Sequence, residues 1–357
     1  MIEGVQRANT PACLVFIVYT LMAAWHLSRN KLLFFSCALF ITLAVGVHLT
    51  PSFTSFFVFD HYRDSCTDLV NEIVWDVQPK TVDVLDVQKN STETYDKNWD
   101  WVRSGKVSAC EFQKFSKSDA LHLLNRSWVV VAGDSQARLF VVSLLRLVLD
   151  EERMDSIEGD WLKRHSDYKL VIDEIGMKLD FIWAPYETNL THLIMKYKVK
   201  RTYPDVLVMG SGLWHMLHVN NASDYGARLL VLKNSVVSLL PISPELVTNG
   251  PVTRCLSNRS PHLFWLGMPT LINGMLNMEA KRERMNDAMW HAYDKVLGDC
   301  KLLHQRGGPL MLLDIQSLTR NCGPRCTFDG MHYDGAVYDA LAHIMLNDLL
   351  AQSYQSL

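Results

Sequence analysis

Two short motifs, one in the middle of the chain and one near its C-terminus, carry residue types suited to nucleophilic chemistry. Gly133-Asp134-Ser135 closes a β-branched run and opens a helical pattern. Ser135 is thereby placed at a helix N-terminus, where free backbone N–H groups and the positive end of the dipole favour negative charge. A serine at such a point can attack an acyl carbon while its own N–H helps hold the developing oxyanion. The same tripeptide also suits an Asp or Ser N-cap. Asp329-Gly330-Met331-His332 follows the last apolar run and precedes the last helical pattern. Three-residue spacing on a turn puts carboxylate and imidazole on one face. Asp329 can then take the imidazole N–H, fix its tautomer and leave the other nitrogen free to deprotonate a serine. Together the motifs predict a Ser135-His332-Asp329 triad.

The elements that must position these residues begin at Trp128. From there, short β-branched runs alternate with helical stretches, the pattern of a parallel sheet covered by helices. Strands are predicted at 128–132, 178–183, 205–209, 263–266 and 310–313, each apolar and nearly continuous, as strands buried on both faces are. Helices are predicted at 137–150, 227–240, 279–297 and 336–350, the third with Met278, Met285, Met289 and Tyr293 on its apolar side. In open α/β sheets ligands bind outside the carboxyl ends of the strands. The segments there are Gly133-Asp134-Ser135, Ala184-Pro185-Tyr186, Gly210-Ser211-Gly212-Leu213-Trp214-His215, Gly267-Met268-Pro269, and the stretch from Asp314 to His332.

These motifs resemble those of the SGNH/GDSL hydrolase superfamily. Within it they resemble the PC-esterase branch, which includes the plant trichome birefringence-like wall polysaccharide O-acetyltransferases and the lumenal domain of the sialate O-acetyltransferase. The resemblance runs from about Trp128 to Leu350. It rests on Gly133-Asp134-Ser135-Gln136-Ala137-Arg138, on Phe181-Ile182-Trp183-Ala184-Pro185-Tyr186, on the Gly210 to His215 block, and on Asp329-Gly330-Met331-His332 with the following helix that ends Ile344-Met345-Leu346-Asn347. It implies a flavodoxin-like three-layer α/β/α sandwich with about five parallel strands, Ser135 as nucleophile, His332 as base and Asp329 as its orienter. One block departs from the superfamily. Its third motif, Gly-x-Asn-Asp, supplies an Asn that donates to the oxyanion, whereas Gly210-Ser211-Gly212-Leu213 contains none. One such donor is worth about 2.7–4 kcal/mol, so another group should replace it. The candidates are the Ser135 and Gly212 amides, Arg138, Trp214 and His215, alongside the motif residues Gly133, Asp134 and Gly210. Arg138 alternatively forms a buried ion pair, and Trp214 and His215 alternatively pack. The superfamily's second-block glycine falls on Gly159 or Gly176.

Composition divides the chain. All but four of the 73 charged residues (35 Lys+Arg, 38 Asp+Glu) lie after residue 59. Residues 8–28 and 32–59 are uncharged and each is long enough to span a bilayer, with 32–50 the stronger span. The chain therefore reads as a membrane anchor of one or two helices at 1–59, an irregular lumenal lead-in at 60–125 with Trp75, Trp99 and Trp101 as packing anchors, and a catalytic domain at 126–357. Arg29 and Lys31 between the apolar blocks hold that loop in the cytosol, which leaves the body in the lumen of the endoplasmic reticulum or Golgi. Five sequons (Asn90, Asn125, Asn189, Asn221, Asn258) all fall in the body. So do Cys66, Cys110, Cys255, Cys300, Cys322 and Cys326, an even set suited to disulfides, and no Cys/His spacing suggests a metal site. A net charge of -3 without basic clusters excludes nucleic acid as a first partner.

A Ser-His-Asp site in an anchored, lumen-facing body suits acyl transfer to or from a sugar hydroxyl. The leading expectation is a secretory-pathway O-acetyltransferase acting on glycans through an acetyl-serine intermediate. A carbohydrate acetylesterase would use the same triad with water as acceptor. A non-catalytic glycan-binding protein of the same fold would use Trp183, Trp214 and Trp265 as exposed aromatics. No Gly-rich nucleotide cradle is present, so the acetyl donor is either acetyl-CoA or a membrane-delivered acetyl group, with no tightly bound cofactor. The resemblance to plant wall acetylation systems implies a separate multi-spanning partner that presents the donor.

Overall fold

The computed structural model describes residues 66, 69–80, 95–161, 165–239 and 261–353, all within the compact unit Ser65–Leu357. The expected membrane anchor, Asn90, Asn258 and Cys255 lie outside the described residues. No helix among those described is long and apolar enough to cross a membrane.

All five predicted parallel strands form. They are β3 (Trp128–Gly133), β5 (Met177–Trp183), β6 (Val206–Met209), β7 (His262–Leu266) and β8 (Met311–Leu313). A further strand, β4 (Tyr168–Ile172), pairs antiparallel to β5 at one edge, and the sheet order is β4-β5-β3-β6-β7-β8. Counting only the parallel strands from β3, this is the doubly wound order 2-1-3-4-5, whose switch point lies between β3 and β6. The apolar runs split by parity. Val129 and Val131 face one core, and Val130 and Ala132 face the other. The first core is covered by α2 (Lys117–Leu123), α3 (Ser135–Val148), α10 (Ile315–Cys322) and α11 (Gly335–Ser353). The second is covered by α5 (Glu187–Lys200), α7 (Ala222–Val237) and α9 (Asp287–Asp299). Four short or peripheral α-helices complete the described set: α1 (Gly105–Ala109), α4 (Glu151–Trp161), α6 (Leu213–His218) and α8 (Glu279–Arg284), which precedes α9.

Two expectations are corrected here. The single helix expected over 279–297 is broken at Met285, because the Asn286 side chain accepts the Met289 N–H at 3.0 Å and starts α9 afresh. Within the segment 60–125, the described residues are not irregular. They hold an antiparallel pair, β1 (Ile73–Pro79) and β2 (Tyr95–Trp101), in full register from Ile73↔Trp101 to Pro79↔Tyr95, and a Cys66–Cys110 disulfide. Trp99 and Trp101 are buried in the first core, while Trp75 is half-buried. Asn347 of α11 exchanges hydrogen bonds with the backbone of Gln113 at 3.0 and 2.9 Å, and Trp99 Nε1 donates to Asp339 at 2.9 Å. The lead-in is therefore part of the α/β body's own core and helps fix α11, the helix that follows His332.

Candidate active site

Ser135 stands where β3 turns into α3. Asp134 caps that helix, its carboxylate accepting the Gln136 N–H at 2.9 Å. The turn passes so close to the end of β6 that a Cβ on Gly133 would lie 2.8 Å from the Gly210 carbonyl oxygen; only glycine lets the two crossover segments meet at the switch point. Burial pushes the Asp134 carboxyl up to about 6.

The loop that brings His332 to Ser135 is tied down on both sides. Cys322 and Cys326 are bridged just before it. Thr327 Oγ1 donates to the His332 carbonyl at 2.6 Å and accepts the Gly330 N–H at 3.1 Å. From α3, Gln136 Nε2 donates to the Met331 carbonyl at 3.1 Å, and Tyr338 of α11 donates to Gln136 Oε1 at 2.5 Å. On the far side, Ile272 N–H donates to the Gly330 carbonyl and Tyr333 donates to the Thr270 carbonyl, each at 2.8 Å.

Ser135 Oγ lies 2.8 Å from His332 Nε2, and His332 Nδ1 lies 2.7 Å from Asp329 Oδ2. Burial opposes ionisation of Asp329. The His332 side chain and the His332 and Met331 amides all donate to its carboxylate, however, and together they hold the carboxyl well below the usual range. An ionised Asp329 fixes the proton on Nδ1 and leaves Nε2 as acceptor for the serine hydroxyl. His332 and Asp329 are about one-third exposed (34% and 31%), so the centre opens to solvent. The arrangement can generate a nucleophilic alkoxide and hold an acyl group as an ester on Ser135.

Of the other expected residues, Gly133, Asp134, Gly210, Gly212 and Trp214 gather at the carboxyl ends of β3, β5 and β6. Gly212 adopts φ +133°, and a Cβ there would strike Met268. Trp214 is half-buried in an aromatic rim, 5.4 Å from Trp183 and 4.9 Å from His218 between ring centroids. Arg138 forms no ion pair with another described residue. Its guanidinium lies 5.2 Å from the Trp183 ring and 5.3 Å from the Phe181 ring, with Nε and Nη2 buried and unpartnered.

Four expectations fail. Gly176 sits at the amino end of β5, in the turn from β4 with φ +64°, one strand length or roughly 20 Å from Ser135. His215 is fully buried with both ring nitrogens taken, by Tyr293 Oη at 2.7 Å and Asp224 Oδ2 at 2.8 Å, so it has no N–H left for an oxyanion. Trp265 is wholly buried and offers no exposed ring. Cys300 is a free, buried thiol donating to the Leu297 carbonyl, not a bridge partner. The sequons Asn125, Asn189 and Asn221 are all exposed.

Two residues escaped the sequence reading. Glu187 opens α5 fully buried, its carboxyl oxygens without a hydrogen-bond partner and the Ser211 hydroxyl near but outside good geometry. Burial pushes it up to about 7, Ser211 offsetting only part of the rise. Phe328, beside Asp329, is 89% exposed. A carboxylate directly after Ala184-Pro185-Tyr186, at a strand's carboxyl end, was the available signal for Glu187.

No family model matches the sequence. The chain is 57% identical over 373 aligned positions to Protein ALTERED XYLOGLUCAN 9 of Arabidopsis thaliana, with 100% of both chains covered. The protein belongs to that protein's family. Among solved structures, a catalytic mutant of Axe2, an acetylxylan esterase from Geobacillus stearothermophilus, aligns with TM-score 0.35 at 12% identity, covering 66% of this chain and 96% of its own. TesA aligns with TM-score 0.33 at 12% identity, covering 62% and 97%. Likeness at that level carries no argument about function. The sheet order is a doubly wound α/β one, with Ser135 and the Asp329-His332 loop at its carboxyl edge.

Proposed function

We propose that this protein is an O-acetyltransferase that acetylates glycan hydroxyls through an acetyl-Ser135 intermediate. The observation that carries the reading is the continuous hydrogen-bonded chain from Ser135 Oγ through His332 to Asp329. In the first half-reaction Ser135 Oγ attacks the acetyl carbonyl as its proton passes to His332 Nε2. That proton then goes to the departing group of the donor. In the second half-reaction a sugar hydroxyl gives its proton to His332 and attacks the acetyl ester, and Ser135 is regenerated. The Ser135 amide at the start of α3 serves the oxyanion. The 57% identical relative carries xyloglucan in its name, which supports a glycan acceptor, and the exposed Phe328 ring beside Asp329 is a face that a sugar can cover. The reading also places residues 1–59 in the Golgi or endoplasmic reticulum membrane with the body lumenal and N-glycosylated, and leaves donor delivery to a multi-spanning partner.

The test is to incubate the purified full chain with an activated acetyl ester and a xyloglucan-derived oligosaccharide. Mass spectrometry should find acetyl on Ser135 and then on the sugar, and neither with Ser135→Ala. The one-third exposure of His332 favours a second reading, an acetylesterase that hands the same intermediate to water. Free acetate with no acetylated sugar would select it.

A further inference from the structure

Between the segments that follow β7 and β8 lies a cavity of about 360 Å³, lined by Thr270, Asp287, Trp290, His291, Gln316 and Arg320. That size falls within the roughly 300–1,000 Å³ of small-molecule sites. Besides Thr270, its polar side chains come from two helices: Asp287 and His291 from α9, Gln316 and Arg320 from α10. None of these four makes a side-chain hydrogen bond to another described residue, and Asp287, His291 and Arg320 are exposed to solvent while Gln316 is half-buried; the backbone behind them is tied. Thr270 N–H donates to Thr319 Oγ1 at 2.9 Å, and Trp290 Nε1 donates to the Pro269 carbonyl at 2.9 Å. This open cleft thus presents one carboxylate, one guanidinium, one carboxamide and one imidazole that a ligand can take over from water. The opposite charges of Asp287 and Arg320 offset each other, which disfavours a purely anionic or cationic ligand. Neighbouring hydroxyls, each donating and accepting, suit this set.

The cavity is also placed to serve the reaction. It lies at the carboxyl edge of the sheet, two and a half strand spacings from β3, or about 12 Å. Its wall residue Thr270 receives the Tyr333 hydroxyl, next to His332. A single sugar at Ser135 would not reach it, whereas a chain of several sugars would.

We propose that this cavity is an acceptor subsite that holds a neutral oligosaccharide at a point removed from the hydroxyl being acetylated. What the bound chain is for rests on the acetyl-transfer reading, but the site itself can be tested without catalysis. Calorimetric titration of the full-length Ser135→Ala protein with a xyloglucan-derived oligosaccharide should show binding. Gln316→Ala and Arg320→Ala in that background should each weaken it about tenfold, the scale of one lost hydrogen bond to a polar or charged partner. Lys295→Ala, on the exposed side of α9, should leave it unchanged, and methyl glucoside should not compete. Unaltered oligosaccharide affinity in both cavity variants, no binding at all, or displacement of the oligosaccharide by coenzyme A would overturn the assignment. Loss of acetyl-Ser135 in the wild-type protein with these binding differences intact would refute the transferase reading and leave the subsite standing.

Discussion

Replacing Glu187 by Gln should change the pH dependence of stability in a calculable way. Glu187 is fully buried at the start of α5 with no hydrogen-bond partner for either carboxyl oxygen, and burial lifts it from an ordinary 4.5 to about 7. An acid whose folded value is raised holds its proton longer in the folded chain. Its stabilising influence is complete below the unfolded value near 4.5 and is lost as pH rises to about 7. At about 1.4 kcal/mol per unit, the total loss is on the order of 3 kcal/mol, of which about 2–3 develops between pH 5 and pH 8. Gln carries no titrating proton. Whatever constant cost the substitution brings, the variant should gain about 2–3 kcal/mol on the wild type between pH 5 and pH 8. Urea unfolding of both proteins at pH 5, 6, 7 and 8 measures that difference. A stability difference that is flat across those four values would refute the burial argument, and would mean that Glu187 finds a partner such as an ordered water.

The catalytic loop, the switch-point glycines and the lead-in give three further expectations. Asp329→Asn should lower turnover of an activated acetyl ester by about 10⁴-fold, because the imidazole loses its fixed tautomer; an unchanged melting temperature would assign that loss to chemistry. Gly212→Ala should destabilise the fold by about 1–3 kcal/mol, since φ +133° is closed to a Cβ and Met268 occupies the space; chemical denaturation reads it. Cys66→Ser opens a loop of sequence separation 44 and should cost about 4 kcal/mol by chain entropy; thermal unfolding with and without reductant checks it.

The hydrogen-bonded arrangement of Ser135, His332 and Asp329 was legible before the fold because its information is local. Ser135 is marked by the junction of a β-branched run with a helical pattern, and Asp329 and His332 by a spacing that one turn satisfies. The five parallel strands were legible for a related reason: a strand buried on both faces must be apolar throughout. Where chemistry depends on what lies opposite, the sequence is silent. Tyr95–Trp101 mixes charged and aromatic residues without a regular period and declares itself a strand only by pairing with Ile73–Pro79. Gly176 looked like a site glycine because its sequence position precedes a strand, and the direction of β5 puts it at the wrong end.

By itself, then, the sequence singled out Ser135, His332 and Asp329 as partners and the layered α/β class, all of which follow from residue type and short spacing. Only the tertiary structure decided the rest. It set the strand order that brings Gly133 against Gly210, and the pairing of His215 with Tyr293 and Asp224 that removes it from the oxyanion. It left Glu187 without a partner, and it brought Asp287, His291, Gln316 and Arg320 around one cavity. Each of these is a contact between residues distant in the chain, made when the apolar faces of different elements are buried together, and no local pattern encodes which polar groups that burial will join or isolate.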